Sequence, residues 1–215
     1  MKNLLLLILA LVINNQITYG QDVTIGKQTW MQKNLNVSKY RDGTPIPQVT
    51  DPSQWANLTT GAWCYYNNDP ANGTIYGKLY NWYAVAGIHD TDPSTPNKIL
   101  APQGWHVPSD AEWTTLTTFL GGESVAGVKM KSTGTSLWLP PNTEATNSSG
   151  FTGLPAGWRY GSGAFNYIGD IGFWWSSSES STTVAWDRSL DGGDDNAYRD
   201  SSSKNYGFSV RCLRD

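Results

Sequence analysis

Gly172-Phe173-Trp174-Trp175 begins the part of the chain that decides the fold, and Gly207-Phe208-Ser209-Val210-Arg211-Cys212 ends it. Both stretches carry large apolar residues in the pattern of half-buried or buried strands. Between them the chain consists mostly of Ser, Thr, Asp, Gly and Asn. A polar segment with so little bulk is better suited to presenting side chains outward than to filling a core. We therefore predict a binding surface held between two apolar strands.

The polar segment, residues 176–206, is predicted to be a display loop whose side chains divide by role. Four large side chains in it or beside it should be packed: Trp174, Trp175, Trp186 and Leu190. Tyr198 is the expected anchor, because an aromatic ring supplies contact area at little entropic cost while Asp and Ser supply adaptable hydrogen bonds. The predicted ligand-binding residues, expected to be exposed together, are Asp187, Asp191, Asp194, Asp195, Asn196, Tyr198, Asp200 and Ser202.

Local patterns predict an α+β fold in a single domain, residues 21–215. The stretch Lys78–Ala86 has helical spacing of its apolar residues, and the capping box Ser109-Asp110-Ala111-Glu112 begins a second helix that Gly121-Gly122 ends. Asp51–Trp55 predicts a short helical turn. Strands are predicted at 23–25, 29–31, 62–66, 154–160, 172–176, 184–190 and 208–213. Helices in the middle with strands on both sides favour α+β over alternating βαβ units.

The N-terminus has the pattern of a secretory signal peptide. A charged start, Met1-Lys2-Asn3, precedes the apolar run Leu4–Ile13 and a small residue, Gly20. Ten apolar residues are too few for a spanning helix, which needs about 20. We predict cleavage after Gly20, a mature chain that begins at Gln21, and a protein that is secreted or held at the cell surface.

Composition is typical of an extracellular binding protein or of a rigid, loop-rich fold, and it leaves these two open. The chain has 215 residues, a net charge of -3, 15% charged residues, 11 Trp and 11 Tyr. Ordinary soluble proteins have about 25% charged residues. Nucleic acid is not an expected partner, because phosphate contacts need clustered Lys and Arg.

Two cysteines, Cys64 and Cys212, are predicted to form a disulfide. Export permits one, and the alternation of Phe208, Val210 and Cys212 turns Cys212 inward. Closing so long a loop would restrict the unfolded chain by about 3 to 5 kcal/mol in the entropic model. Two packed free thiols are the alternative.

Catalytic and metal-binding patterns are thin, so no enzyme activity and no cofactor are predicted. His106, in Gly104-Trp105-His106-Val107-Pro108, is interpreted as a histidine that bonds backbone in a turn, since no nucleophile motif accompanies it. The acidic cluster from Asp187 to Asp200 departs from a calcium loop: counted from Asp191, position six is Asn196 and position twelve is Ser202. An irregular calcium site stays open.

Several motifs in chain order resemble a known bacterial family. They are Ile25-Gly26-Lys27-Gln28-Thr29-Trp30-Met31, Asn34-Leu35-Asn36, Tyr65-Tyr66-Asn67-Asn68-Asp69, Tyr76-Gly77-Lys78-Leu79-Tyr80-Asn81-Trp82, Gly104-Trp105-His106-Val107-Pro108, Trp174-Trp175-Ser176-Ser177 and Gly207-Phe208-Ser209-Val210-Arg211-Cys212. Together they resemble the Fibrobacter succinogenes major paralogous domain over nearly all of the mature chain. That resemblance implies an exported bacterial protein of unassigned activity.

A more distant resemblance implies the fold. Pro108-Ser109-Asp110-Ala111-Glu112-Trp113 and the ending Gly207 to Cys212 look like elements of the formylglycine-generating enzyme family, which uses a C-type lectin fold. This implies two helices on a small mixed sheet, with long irregular loops that carry recognition. The active-site cysteine pair of that enzyme has no counterpart, because Cys64 lies in an early strand and Cys212 in the last.

A related use of the fold implies that the polar segment is diversified. Some lectin-like proteins are targets of diversity-generating retroelements, which mutate adenines near the 3′ end of the gene. Between 176 and 206, residues reachable from Asn codons alternate with scaffold candidates, which are Trp186, Arg188, Leu190, Arg199 and Lys204. An ordinary binding loop is the alternative. The predicted function is thus an exported protein that binds a protein or carbohydrate ligand; the alternatives are a lectin-fold enzyme and a structural envelope component.

Overall fold

The computed structural model describes residues 22–215. The predicted signal peptide, residues 1–20, and the predicted mature start at Gln21 lie outside the described residues. Among residues 22–215, none of the helices is both long and apolar enough to cross a bilayer.

Strands and short helices alternate irregularly along the described chain. The strands are β1 Asp22–Ile25, β2 Gln28–Met31, β3 Trp63–Cys64, β4 Leu79–Tyr80, β5 Trp105–His106, β6 Ala156–Arg159, β7 Phe165–Ile168, β8 Ile171–Glu179, β9 Val184–Asp191, β10 Ala197–Ser203 and β11 Leu213–Arg214. The helices are α1 Pro52–Ala56, α2 Pro70–Tyr76, α3 Trp82–Val85, α4 Asp110–Phe119 and α5 Glu123–Met130. This is the α+β composition predicted from the sequence.

Three sheets organise these strands. A four-stranded antiparallel sheet has the order β1-β2-β11-β5, so the two ends of the described chain meet where Leu213 lies opposite Trp30 and His106. A five-stranded sheet has the order β10-β9-β8-β6-β7 and is mixed, because β6 and β8 run parallel. Strands β3 and β4 form a small antiparallel pair. The five-stranded sheet contains more than half of the predicted display segment.

The local elements with strong sequence signals form as predicted. Strands β1 and β2 make the predicted hairpin, and its turn needs Gly26, whose φ is +63°. The predicted capping box begins α4: the Ser109 side chain accepts from the Glu112 backbone N–H, and the Glu112 carboxylate accepts from the Ser109 N–H. Helix α1 begins at Pro52, with the Asp51 carboxylate accepting from Gln54 N–H.

One helix prediction was wrong, and one helix was missed. The stretch Lys78–Ala86 is divided between β4 and α3, because the buried side chain of Asn81 accepts from the backbone N–H groups of Ala62 and Ala84 and caps a helix of only four residues. Helix α5 was not predicted. Gly121-Gly122 does end α4, but both glycines have φ above +100°, which turns the chain directly into α5.

The consecutive tryptophans Trp174 and Trp175 are fully buried on opposite faces of β8, as strand alternation requires. Trp174 packs in the cluster with Trp30, Trp113 and Leu190, and Trp175 in the cluster with Tyr80, Phe208 and Val210. The predicted packing of Trp174, Trp175 and Leu190 is confirmed. Trp186 was predicted to be packed but is only half-buried, and the guanidinium of Arg199 lies 3.5 Å from its ring centroid.

Cys64 and Cys212 are free, buried thiols, so the predicted disulfide does not form. Cys64 lies in one hydrophobic cluster with Trp55 and Leu79, and Cys212 in another with Tyr80. Alternation along β3 separates them: Trp63 lies opposite Tyr80, which turns the next residue, Cys64, to the other side. Burial raises the pKa of each thiol to about 12. The alternative of two packed thiols is the arrangement found.

Candidate functional site

The predicted display loop is mostly β-sheet. Residues 176–206 include the end of β8 and all of β9 and β10, joined by short turns. The reason is a small set of apolar residues that the polar composition conceals: Ala185, Leu190 and Ala197 are buried at strand positions among the polar residues. The segment therefore presents its side chains from a sheet, which holds them more rigidly than a loop would.

Strand register places one set of side chains on a single face of this sheet. Asp187 of β9 lies directly opposite Trp175 of β8 and Asp200 of β10. Ser189 likewise lies opposite Phe173 and Tyr198. Directly opposite residues share a face, and so do residues two apart. The acidic half of this face consists of Asp187, Ser189, Asp191, Tyr198, Asp200 and Ser202.

The aromatic half of the same face was missed by sequence reasoning. Trp158 of β6 packs on Phe173 with ring centroids 4.4 Å apart, and it also contacts the rings of Tyr160 and Tyr167. Tyr160 lies 4.7 Å from Tyr206 between centroids. Tyr160 and Tyr167 are 42% and 50% exposed. The spacing Trp158-Arg159-Tyr160 within a predicted strand was the available signal. We call the two halves together the acidic-aromatic face.

Helices α4 and α5 lie on the opposite face of β8, β9 and β10. Arg188 and Leu190, which alternate with Asp187 and Ser189, point to that side. The N–H of Gly127 in α5 donates to the Asp195 carbonyl at 2.9 Å, and a Cβ on Gly127 would lie only 2.2 Å from the Asn196 carbonyl oxygen. Glycine therefore allows α5 to approach the β9–β10 turn closely.

Asp187 is the most unusual residue of the face. It was predicted to be exposed, and this was wrong, since only 1% of its surface is accessible. Among residues 22–215, neither of its carboxylate oxygens has a hydrogen-bond partner of good geometry. The pKa of Asp187 is raised to about 7: burial is the largest cause and the nearby Asp200 carboxylate adds to it, while the Ser202 hydroxyl and the charge of Arg188 oppose the rise. Sequence patterning could not reveal this burial, because it depends on which strand covers which face.

The basic residues of β9 and β10 are engaged on the helix side. Arg188 donates to the Asp110 carboxylate at 2.8 Å, and Arg199 donates to the same carboxylate at 2.8 and 2.9 Å. Burial raises the pKa of Asp110, but its hydrogen bonds to Arg199 and Arg188 outweigh this and the net pKa is lowered. Lys204, after β10, donates to Glu179 at 2.6 Å. Within residues 22–215 these cations form their ion pairs with Asp110 and Glu179 and not with Asp187 or Asp200, although the charge of Arg188 still acts to lower the pKa of Asp187.

The other acidic residues of the prediction belong to the turn between β9 and β10. The Lys131 ammonium is buried against this turn and donates to the carbonyls of Thr143, Asp191 and Asp194 at 3.0, 2.9 and 2.6 Å. The Asp191 and Asp194 carboxylates accept backbone N–H groups of the turn, and Asp194 also accepts from the Tyr198 hydroxyl. The ammonium thus occupies the position that a cation would take in such a loop.

The structure therefore separates the eight predicted ligand-binding residues. Asp187, Asp191, Tyr198, Asp200 and Ser202 share the acidic-aromatic face, whereas Asp194, Asp195 and Asn196 form the turn. Tyr198 and Asp200 are exposed as predicted, while Asp191 and Ser202 are half-buried. Within residues 22–215, no three His, Cys, Asp or Glu side chains come together in a way that could hold a metal ion.

His106 bonds to carboxylates and not to backbone, contrary to the prediction. Its Nδ1 lies 2.8 Å from Asp215 Oδ1, and its Nε2 lies 3.0 Å from Glu112 Oε1. Burial lowers the pKa of His106, but the two carboxylates outweigh it and the net pKa is raised. Since Glu112 caps α4 and His106 belongs to β5, this contact links a helix end to a sheet.

A cleft of about 770 Å³ lies elsewhere, between residues 31–43 and 100–103. The guanidinium of Arg41 is fixed there by the carbonyls of Ala101, Pro102 and Trp105, at 2.9, 2.9 and 2.5 Å. Lys33 and Lys39 are exposed at its rim. The Arg41 guanidinium is thus used by the loops themselves, whereas the Tyr40 hydroxyl, which also lines the cleft, is buried without a hydrogen-bond partner among residues 22–215. We place the candidate site at the acidic-aromatic face, where the exposed Tyr198 lies beside the pair Asp187 and Asp200.

The family model for the Fibrobacter succinogenes major domain matches residues 23–214. The chain belongs to this family. No curated protein matches the chain, and no solved structure does. In this member of the family, the motifs recognised in the sequence meet in the core: Arg211 donates to Asn34 Oδ1 at 2.8 Å, and Trp174 Nε1 donates to the same oxygen at 2.9 Å. These motif residues hold the sheets together and lie behind the acidic-aromatic face.

Proposed function

We propose that this member of the Fibrobacter succinogenes major domain family is an exported, single-domain binding protein. Its acidic-aromatic face contacts a protein or carbohydrate ligand, without catalysis or cofactor. The observation that carries this proposal is the arrangement of the face: the exposed ring of Tyr198 shares it with Asp187 and Asp200, and the exposed rings of Tyr160 and Tyr167 belong to its aromatic half. Among residues 22–215, no basic side chain forms an ion pair with either acid. Aromatic anchors beside adaptable polar groups are typical of binding surfaces.

A C-type lectin-like fold is part of the proposal. Three features support it: helices α4 and α5 beside a mixed sheet, the meeting of the two ends of the described chain in β1-β2-β11-β5, and the long irregular stretch between α5 and β6.

The positions and pKa values of the two cysteines disfavour formylglycine-type catalysis. Cys64 and Cys212 lie in separate clusters, and burial raises their pKa to about 12, so neither thiol is the thiolate that such chemistry needs.

Diversification of the face by a retroelement is supported by the direction of the side chains. The scaffold candidates Arg188, Leu190 and Arg199 turn to the helix side or bind Asp110 there. The residues that alternate with them along β9 and β10, all reachable from Asn codons, lie on the acidic-aromatic face. A purely structural envelope component, the remaining alternative, gives no reason for this division.

The experiment is a binding screen of residues 21–215 against a glycan array and a panel of purified surface proteins. We expect a ligand whose binding is lost in the double variant Tyr198→Ala/Asp200→Asn. Phe119→Ala is the matched control, because Phe119 is a 63% exposed ring on α4, on the other side of the sheet. Equal binding by the double variant and wild type would place the site elsewhere, and loss of binding in Phe119→Ala as well would show that the loss is not specific to the face.

A further inference from the structure

We propose that the acidic-aromatic face receives a basic side chain, the guanidinium of Arg or the ammonium of Lys, presented by a protein partner. The carboxylates of Asp187 and Asp200 would hold that group. This inference rests on the proposed function and selects protein over carbohydrate as the ligand class. The observation behind it is that no basic side chain in the described part of the chain forms an ion pair with Asp187 or Asp200.

The geometry of the acid pair favours a cation between the two carboxylates. Asp187 and Asp200 lie directly opposite each other in the β9–β10 ladder. Side chains in such positions have Cβ atoms about 5 Å apart, and like charges there repel. Both carboxylates can be ionised together at low cost only if a positive charge lies between them. A guanidinium has two edges of donors and could bond both acids at once.

The basic residues nearest in sequence to the acid pair bind other groups. Arg188 and Arg199, the chain neighbours of Asp187 and Asp200, both donate to Asp110 beyond the opposite face. Lys204 pairs with Glu179, and the Lys131 ammonium is bound to three carbonyls of the turn. Asp187 is 99% buried, and among residues 22–215 neither of its carboxylate oxygens has a hydrogen-bond partner of good geometry; only the neighbouring Ser202 hydroxyl and the charge of Arg188 favour its ionised form. A buried charged acceptor without a donor is costly, and an incoming cation would remove that cost.

A ligand can approach the acid pair from the edge of the sheet. Asp200 is exposed on β10, which is an edge strand of the sheet. A ligand therefore meets Asp200 first. Asp187 lies next to it, and the half-buried Ser202 of the same strand faces Asp187. A rotation of the Ser202 side chain is the smallest movement that would let a donor approach. The exposed ring of Tyr198 stands one position away on the same face, where it could contact the cation.

Charge complementarity favours a protein ligand over a neutral glycan. A neutral sugar offers hydroxyl donors but no charge, so the repulsion between Asp187 and Asp200 would remain. Basic side chains are plentiful on protein surfaces, and Arg beside aromatic rings is a common hot spot of protein interfaces. The acidic half of the face would thus take the charged end, and the aromatic half the apolar surroundings of that side chain.

The test uses residues 21–215 and two small probes that differ in charge alone. N-acetyl-arginine methylamide is the cationic probe, and N-acetyl-citrulline methylamide, which is nearly isosteric and neutral, is its control. Binding is followed by ¹H–¹⁵N NMR. We expect saturable shifts with the arginine probe that centre on residues 185–189 and 198–202, and no saturable shifts with the citrulline probe. Asp200→Asn and Asp187→Asn should each weaken the arginine probe at least about tenfold.

Asp90→Asn serves as the matched variant, because Asp90 is an exposed acid outside the face; it should bind the arginine probe like wild type. If Asp187→Asn does not fold, Asp200→Asn provides the same test from an exposed position. The proposal is overturned if citrulline shifts the same amides, if the arginine shifts lie elsewhere, or if Asp200→Asn binds like wild type. An unaltered wild-type spectrum at saturating arginine probe overturns it too.

Failure of this inference is distinguishable from failure of the proposed function. A ligand from the screen that is lost with Tyr198→Ala but retained with Asp187→Asn and Asp200→Asn would keep the face as the binding site and refute the basic side chain. Binding to neutral glycans that survives Asp200→Asn would have the same meaning. Ligand binding that none of the face variants alters would refute both.

Discussion

The two faces of β9 differ in whether their buried charges have a partner of opposite charge. On the helix side Arg188 is buried and paired with Asp110, which Arg199 also binds, so every charge in that group has a partner. One residue away, on the acidic-aromatic face, Asp187 is as deeply buried and has no partner of good geometry among the described residues. A fold can thus give each buried charge an opposite charge on the side that holds it together, even though the Arg188 Nε has no hydrogen-bond partner among the described residues. On the other side it leaves charge that a ligand could complete.

The largest loss of stability should follow a substitution on the helix side. Replacing Trp174 by Ala removes a fully buried ring that packs with Phe151 and donates to Asn34. We expect a loss of about 3 to 5 kcal/mol in the free energy of unfolding, as for other buried aromatic residues. Urea denaturation followed by tryptophan fluorescence and circular dichroism measures it. Trp186→Ala is the control and should cost clearly less, because Trp186 is half-buried; equal losses would contradict the difference in packing.

On the acidic-aromatic face, Asp187 should make the free energy of unfolding depend on pH. The folded pKa of Asp187, about 7, is above its value of about 3.9 in the unfolded chain. Its contribution to stability is therefore fully present below pH 4 and is lost as the pH rises through 7. The difference corresponds to about 4 kcal/mol at most. Asp187→Asn should remove this dependence, so its stability relative to wild type should rise between pH 4 and pH 8.

Urea midpoints at several pH values test the Asp187 prediction. Because Asp110 and Glu112 have lowered pKa values and act in the opposite direction, the quantity to compare is the difference between the variant and wild type at each pH. A difference that stays constant from pH 4 to pH 8 would show that Asp187 does not titrate abnormally. Asp200→Asn should lower the pKa of Asp187 and reduce the wild-type dependence in part.

Sequence reasoning reached the elements whose signal is local. The capping box at Ser109 predicted α4, and the alternation in 184–190 predicted β9. It did not reach what depends on the register between distant strands. Asp187 and Arg188 are neighbours in the chain and have the same sequence surroundings. Which of the two finds an oppositely charged partner depends on the helix or strand that packs on each face of β9. The same limit explains the disulfide prediction, because Cys212 does turn inward but Cys64 is turned away from it by the β3–β4 pair.

A smaller effect on the helix side tests the paired charges. Arg188→Met keeps most of the volume and removes the buried cation, which leaves Asp110 with Arg199 alone. Breaking a fully buried pair costs about 3 to 5 kcal/mol; since Asp110 retains a partner and some exposure, we expect about 2 kcal/mol. Thermal unfolding measures the loss. An unchanged or higher melting temperature would mean that the helix side is no better satisfied than the face opposite.

The smallest effect on stability should accompany a large effect on binding. Tyr198 is exposed, and its hydroxyl contacts Asp194 and Asn196 at the surface, so Tyr198→Ala should change the free energy of unfolding by less than about 0.5 kcal/mol. If the ring is an anchor, the same variant should reduce ligand affinity at least tenfold, because truncating an aromatic hot spot costs about 2 kcal/mol or more of binding energy.

Tyr198→Phe separates the contribution of the ring from that of the hydroxyl. It keeps the ring and removes the hydroxyl, so it should retain binding if contact area is what matters. Calorimetry of both variants with the ligand found in the screen, beside their melting curves, gives the result. A Tyr198→Ala variant that loses stability as Trp174→Ala does would make this ring part of the scaffold, and the division between the two faces of the sheet would then lie elsewhere.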